Sequence, residues 1–229
     1  LSLSTRNDKS VVIQGSGRMT DGALKKIDNN LLTRALHGTT DWKANILVKK
    51  PGLRVDIQSQ LIGMSTNLPA PLNKSADVAA NLQIRLRQEN SQQDKIDVHY
   101  DDWIHANLTR NHIGQETSIK AGEIAINTPP RLPTTDGINV RADFQKLNVD
   151  EWLAYLKQQS GGDGGTSAGV PVNNVDITAG VLRVFDRNLH QIKLRISPLD
   201  DRLHLSIQSL ELAGEADWLQ AKQNKLLAK

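Results

Sequence analysis

The sequence predicts a mainly β protein: a long, curved, antiparallel sheet, groove- or taco-like, with one or two short helices. Three observations predict it. Apolar residues recur with a period of two in run after run, which places one face of each strand in an apolar setting and the other in water. Turn-forming residues separate these runs at hairpin spacings. Helical periodicity is confined to two stretches. A sheet with one wetted face reads as antiparallel, because a parallel sheet is covered on both faces and loses the alternation.

The elements follow in order. Val11-Val12-Ile13 leads into Gly15-Ser16-Gly17. That trio lacks the third glycine, the lysine and the βαβ frame of a phosphate loop, and reads instead as a bulge or a crowded corner. Residues 20–36 set Leu24, Ile27, Leu31 and Leu32 on one helical face, with Thr20 as N-cap and Asp28-Asn29-Asn30 interrupting. An alternating run from Trp42 to Val48 ends at Pro51-Gly52. Leu53, Val55, Ile57 and Leu61 then alternate with Arg54, Asp56 and Gln60. Leu82, Ile84 and Leu86 alternate with Gln83, Arg85 and Arg87. Ile96, Val98 and Tyr100 alternate with Asp97 and His99, and Asp101-Asp102 closes that run as a turn. Asn111-His112 is expected to divide two further runs. Thr135-Asp136-Gly137 precedes a strand through Ile138, Val140, Ala142 and Phe144.

Residues 148–159 carry Val149, Trp152, Leu153 and Leu156 at helical spacing, with Asn148 or Asp150 as cap. Two more alternating runs, through Ile192, Leu194, Ile196 and through Leu203, Leu205, Ile207, are joined by Asp200-Asp201. The domain organisation expected is a β-rich segment 1–159 ending in a short helix, a flexible Gly/Ser linker loop 160–169, and a continuing β segment 170–229 of the same unit. Gly38 to Trp42 and Gly214 to Trp218 share a weak repeat, Gly-x-x-Asp-Trp, read as a glycine corner before a Trp-led strand.

Composition narrows the chemistry. The 229 residues include no cysteine, which excludes disulfide staples, thiolate metal sites and cysteine nucleophiles. Lys+Arg number 28 against 25 Asp+Glu, a net charge of +3, and the basic residues form only scattered doublets. A nucleic-acid partner is not expected without a basic stripe and stacking aromatics. The longest uncharged stretch, Ile57 to Asn73, carries two prolines and several Gln, Ser and Asn residues, so it is no membrane helix. The opening on Leu1 in mid-alternation reads as a piece cut from a longer protein.

No convincing catalytic set emerges, and neither an enzyme nor a cofactor is expected. Gly165-Thr166-Ser167-Ala168-Gly169 matches G-x-S-x-G, but with a helix before it and a strand after it, the reverse of a nucleophile elbow. His99, Asp101 and His105 would share a strand face with Trp103 only if no turn intervened, and a fourth zinc ligand is missing. What remains is an apolar face with few helices to cover it. Such a face either meets a partner, a ligand or lipid, or is buried by the sheet closing on itself as a sandwich or barrel.

Residues 56–74 carry a more specific signal. Ser59-Gln60-Leu61-Ile62-Gly63 reads S-x-L-x-G, and Leu68-Pro69-Ala70-Pro71-Leu72-Asn73-Lys74 reads L-P-A-P-L-x-K. Together with the Trp42 strand, the passage from Gly137 to Trp152 and the segment from Leu205 to Trp218, this resembles the YhdP/AsmA-like family of bacterial envelope proteins. The resemblance implies a parent anchored in the inner membrane by an N-terminal helix absent from this fragment, with a long periplasmic β structure. It also implies a β-groove that binds or conducts phospholipid acyl chains between inner and outer membrane. On that expectation Val55, Ile57, Ile84, Leu86, Val98, Leu194 and Leu205 are the lipid-groove candidates; each could equally be an ordinary core residue. The alternative is a non-lipid scaffold or chaperone-like factor for outer-membrane protein assembly that acts by strand addition. The family implies no catalytic motif and no metal.

Overall fold

The alternating runs become strands in a computed structural model that describes residues 1–27, 31–50, 52–114, 116–159, 172–199, 202–219 and 225–228. It divides into two compact units, Leu1–Ala121 and Gly122–Lys229. The 160–169 stretch with its G-x-S-x-G match, the Asp200-Asp201 turn, Pro51 and Asp28-Asn29-Asn30 lie outside the described residues.

The first unit holds β1 (Ser2–Thr5), β2 (Val11–Thr20), α1 (Asp21–Ile27), α2 (Leu31–Ala35), β3 (Leu36–Lys49) and β4 (Gly52–Ser59). β5 (Met64–Thr66), β6 (Leu82–Asn90), β7 (Gln93–Tyr100), β8 (Ile104–Ile113) and the first residues of β9 (Glu116–Ile126) follow. The sheet runs β1-β2-β3-β4-β6-β7-β8 with these neighbours antiparallel, and β5 pairs off the path with β3, also antiparallel. The predicted helix over 20–36 is two short ones. Thr20 caps the first as expected, its Oγ1 accepting from the Ala23 amide at 3.2 Å.

Two local expectations in this unit are corrected. Asn111-His112 is not a turn but lies inside β8, and the chain reverses at Gly114, where φ is +64°. Trp42 does not open a strand: Gly38 and Trp42 are both interior to β3. The glycine pair Gly15 and Gly17 is instead explained by Trp42. A Cβ on Gly17 would lie 3.2 Å from the indole Cζ2, so the two glycines leave room for the ring across the β2–β3 pair. The Asp101-Asp102 turn is as expected, with the Asp101 carboxylate accepting from the Asn81 amide at 2.6 Å.

The second unit holds the end of β9, β10 (Gly137–Asn148), α3 (Val149–Gln159), β11 (Val172–Val184), β12 (Arg187–Leu199), β13 (Arg202–Gln208), β14 (Ala213–Leu219) and β15 (Lys225–Ala228). β10 through β15 pair in sequence order. One pair departs from the antiparallel expectation: β10 and β11 are parallel. The physical reason is α3, since a helix lying between two strands carries the chain back so that they run the same way. Alternation alone does not report strand direction.

Asn148 caps α3. Its Oδ1 accepts from the Glu151 amide at 3.4 Å while its Nδ2 donates to Glu151 Oε1 at 2.7 Å, a reciprocal cap. Asp150, the other candidate cap, reaches instead to the β11–β12 loop, where its carboxylate accepts from the amides of Phe185 (2.7 Å) and Asp186 (3.1 Å). Those two residues form the whole loop, with φ of +50° and +58°. Both positive values mark a tight hairpin turn that bulky residues enter at a cost.

The core of this unit is Ala179, Leu182, Leu189 and Ile192, with Phe144, Leu147 and Val149 packed against it. Ala179 to Leu182 and Leu189 to Ile192 are three residues apart, which strict alternation would send to opposite faces. The phase slips between them. Gly180 has the Gln145 carbonyl oxygen 2.8 Å from where a Cβ would stand, and Gln191 sits at φ +53°. This irregularity keeps all four side chains in one cluster.

Candidate functional site

Strand register assembles the aliphatic residues of the first unit into rows. One row runs Leu3, Ile13, Ile46, Val55, Leu86, Ile96, Leu108 across seven strands. Its neighbour runs Gly15, Ala44, Ile57, Ile84, Val98, Ala106 across six. Five candidates thus fall side by side: Val55 faces Leu86, and Ile84 stands between Ile57 and Val98. The other face is polar from β4 to β8, while Val12 and Leu47 lie on it in β2 and β3. It carries Asp56–Arg85 and Arg87–Asp97 ion pairs at 3.5 and 3.2 Å between exposed or half-exposed side chains.

Burial distinguishes this face from a core. Ile46, Val55, Ile57, Ile84, Leu86, Ile96, Val98 and Leu108 are all half-buried, although each has strands on both sides. The buried apolar residues of this unit are Ala35, Ala44, Met64, Leu68 and Ala80, and only Ala44 belongs to the rows. Among the described residues the large aliphatics of the two rows therefore have strand neighbours beside them and no layer that buries them. A sheet closed into a sandwich would bury them.

Leu194 and Leu205 lie in the second unit, on adjacent rows. Val140, Val175, Ile196, Leu205 and Ala216 form one; Ala142, Ile177, Leu194, Ile207 and Gly214 form the other. Leu194 and Ile207 pack against the core cluster and are partly buried, and Leu205 is half-buried.

Sequence reasoning missed the rim of the first face. Asp94 and Arg110 are opposite each other, the next same-face pair beyond Ile96 and Leu108. Asp94 is 4% exposed and accepts from Arg110 Nη2 at 2.5 Å, from Arg110 Nε at 3.2 Å, and pairs with His112 Nε2 at 2.6 Å. Burial pushes the Asp94 carboxyl up, but the hydrogen bonds from Arg110 and His112 outweigh it and hold the group below its ordinary range. The sequence signal was a charged pair continuing the period of two on the apolar face.

The signature segment has a structural role. Lys74 is 8% exposed and its ammonium donates to three carbonyls, of Met64 (2.7 Å), Leu61 (2.8 Å) and Ser75 (3.0 Å). Three donors meet three acceptors, which is what makes the buried charge tolerable. Burial still draws its pKa below the usual lysine value, against the opposing pull of Asp77 and Asp101. Leu68, 6% exposed, and Met64, 1% exposed, are buried in the same segment, where the Asn67 amide donates to the Ala35 carbonyl at 3.2 Å.

His99 and His105 are opposite each other on the polar face, with Nδ1 atoms 2.9 Å apart. Desolvation, followed by the neighbouring His105 and Arg85, draws the His99 pKa below the usual histidine value. Asp101 lies in the turn beyond them. No group of three or more His, Asp or Glu side chains is placed to hold a metal among the described residues. No helix among them is long and apolar enough to cross a membrane.

No curated protein and no solved structure matches the chain. The family model described as YhdP protein matches residues 1–229 of the chain. The open alternating sheet and the loop ordered by Lys74 are thus features of a chain that belongs to the YhdP family.

Proposed function

We propose that this chain binds phospholipid acyl chains along its aliphatic rows, as the periplasmic part of an inner-membrane-anchored envelope protein that conducts lipid between the two membranes. Family membership is consistent with an envelope protein. The observation that carries the lipid reading is the half-buried state of Val55, Ile57, Ile84, Leu86 and Val98 in the middle of a sheet. Each acyl CH₂ moved from water onto such a surface gains up to about 0.8 kcal/mol. A row repeated from strand to strand keeps that gain nearly constant along its length, so a chain slides without a large barrier.

The test is organic extraction of the gently purified protein, with mass spectrometry of the extract. Phospholipid in stoichiometric amount is expected, and Ile84→Asp removes it while circular dichroism stays unchanged. A lipid-free protein that instead captures unfolded outer-membrane protein segments contradicts the reading and favours the strand-addition scaffold.

A further inference from the structure

We propose that Trp42, Tyr100 and Trp103, on the edge of the aliphatic face away from Asp94, hydrogen-bond the ester carbonyls of a lipid whose acyl chains lie on the rows. The inference rests on the lipid reading and adds the ester end of the lipid to it. The first argument is register. Two residues along the strands from Ala44, Ile57, Ile84, Val98 and Ala106 lies a third row on the same face. It holds Gly17, Trp42, Ser59, Leu82, Tyr100 and Ile104. Lys43 faces Gln58, which sets Trp42 beside Ser59. Trp42, Leu82, Tyr100 and Ile104 are half-buried, like the aliphatic residues before them. Trp103, in the turn after Tyr100, meets the Tyr100 ring edge-on with centroids 5.6 Å apart.

The second argument is the state of the polar atoms. No group of the described residues accepts from Trp42 Nε1, Tyr100 Oη or Trp103 Nε1. None of the three is sealed from solvent either. Burial, and then Asp101, raises the Tyr100 pKa above its ordinary value, so the phenol keeps its proton and its capacity to donate. Rings that carry one N–H or O–H are the side chains that sit where hydrocarbon meets the polar part of a lipid.

The third argument is the contrast between the two edges of the face. At the far edge Asp94, Arg110 and His112 satisfy one another. The third row carries no charged side chain, and its Ser59 hydroxyl is committed to Thr40 and the Asp41 carbonyl. What it offers is neutral donors in half-apolar surroundings. A neutral acceptor suits them, and in a diacyl lipid that acceptor is the ester carbonyl, at the point where the hydrocarbon begins. Trp42 and Tyr100 stand three strand spacings apart, about 14 Å. A lipid moving along the rows therefore passes from one donor to the next.

The experiment compares a diester phosphatidylethanolamine with its dialkyl ether of the same chain length and headgroup, which lacks the carbonyls. Binding to the whole chain is read by native mass spectrometry. Both lipids are expected to bind, the diester tighter by about fivefold, the contribution of one net hydrogen bond. Trp42→Phe, Tyr100→Phe and Trp103→Phe each keep a ring and remove a donor; combined, they abolish the preference while ether binding stays. Equal binding of the two lipids by the natural chain overturns the ester site and leaves the acyl reading standing. Binding of neither lipid overturns both. A diester preference that the triple variant retains places the donors elsewhere and overturns the assignment. Should Trp42→Phe fail to fold, because Gly15 and Gly17 are fitted to the indole, the Tyr100→Phe and Trp103→Phe double variant decides by the same ratio.

Discussion

Ile57 and Ile84 are direct partners across β4 and β6, and neither is buried. Two isoleucines meeting in the middle of a sheet normally mark the floor of a core. Here they mark a surface with strand neighbours and no cover among the described residues.

That contrast predicts different outcomes for similar substitutions. Ile84→Asp, on the half-buried row, lowers stability by about 1 kcal/mol or less. Ile192→Asp, at 1% exposure in the core of the second unit, costs about 4 kcal/mol or more, as an unpaired charge in a packed site does. Urea unfolding of the two variants measures the difference. Equal losses would make Ile84 a core residue.

Lys74→Met removes the cation and leaves the carbonyls of Met64, Leu61 and Ser75 without their donor. A loss of about 3 kcal/mol is expected, because orphaned buried acceptors cost about 1–3 kcal/mol each and some regain water. Hydrogen exchange at the Gly63 and Thr66 amides, which bond to Ala76 and Lys74 carbonyls, reports the loop directly. Unchanged protection there would remove Lys74 from its structural role.

The β11–β12 loop is held against its residues' preferences. Replacing Phe185-Asp186 with Asn-Gly keeps the two positive φ values and uses residues suited to them. Thermal unfolding is expected to show a gain of about 1 kcal/mol. Asp150→Ala lowers the melting temperature, since two loop amides lose their acceptor. A neutral Asp150→Ala would mean that water replaces the carboxylate.

Glu211 gives a pH dependence. Its carboxylate accepts from the His190 amide and then the His190 ring, and these bonds lower its pKa from 4.5 to about 2. A depressed carboxyl contributes stability that is present above its unfolded value and lost as protons bind. The contribution is therefore complete above pH 4.5 and disappears toward about pH 2. Stability measured across that window falls for the natural chain and less steeply for Glu211→Gln. Identical slopes would contradict the assignment.

Much of this architecture was legible in the period of two. The runs through Leu82, Ile84, Leu86 and Ile96, Val98, Tyr100 named both the strands and the face, because register only places side by side what alternation has already sorted. Three features were not legible. The parallel β10–β11 pair leaves no mark on alternation. The slip at Gly180 and Gln191 breaks the period, so Leu182 and Leu189 did not read as core. The rim of Asp94, Arg110 and His112 was hidden because charges at same-face positions look like the end of a strand.

Lipid carried on the aliphatic rows must touch Ile84 and Val98 and not the opposite face. A photo-crosslinking residue placed at Ile84 or Val98, and for comparison at Arg85 or Asp97 on the opposite face, is irradiated with phospholipid vesicles present. Phospholipid adducts at Ile84 and Val98 with none at Arg85 and Asp97 are the result expected. Equal labelling of the two faces, or none at Ile84 and Val98 in a folded protein, would contradict the account.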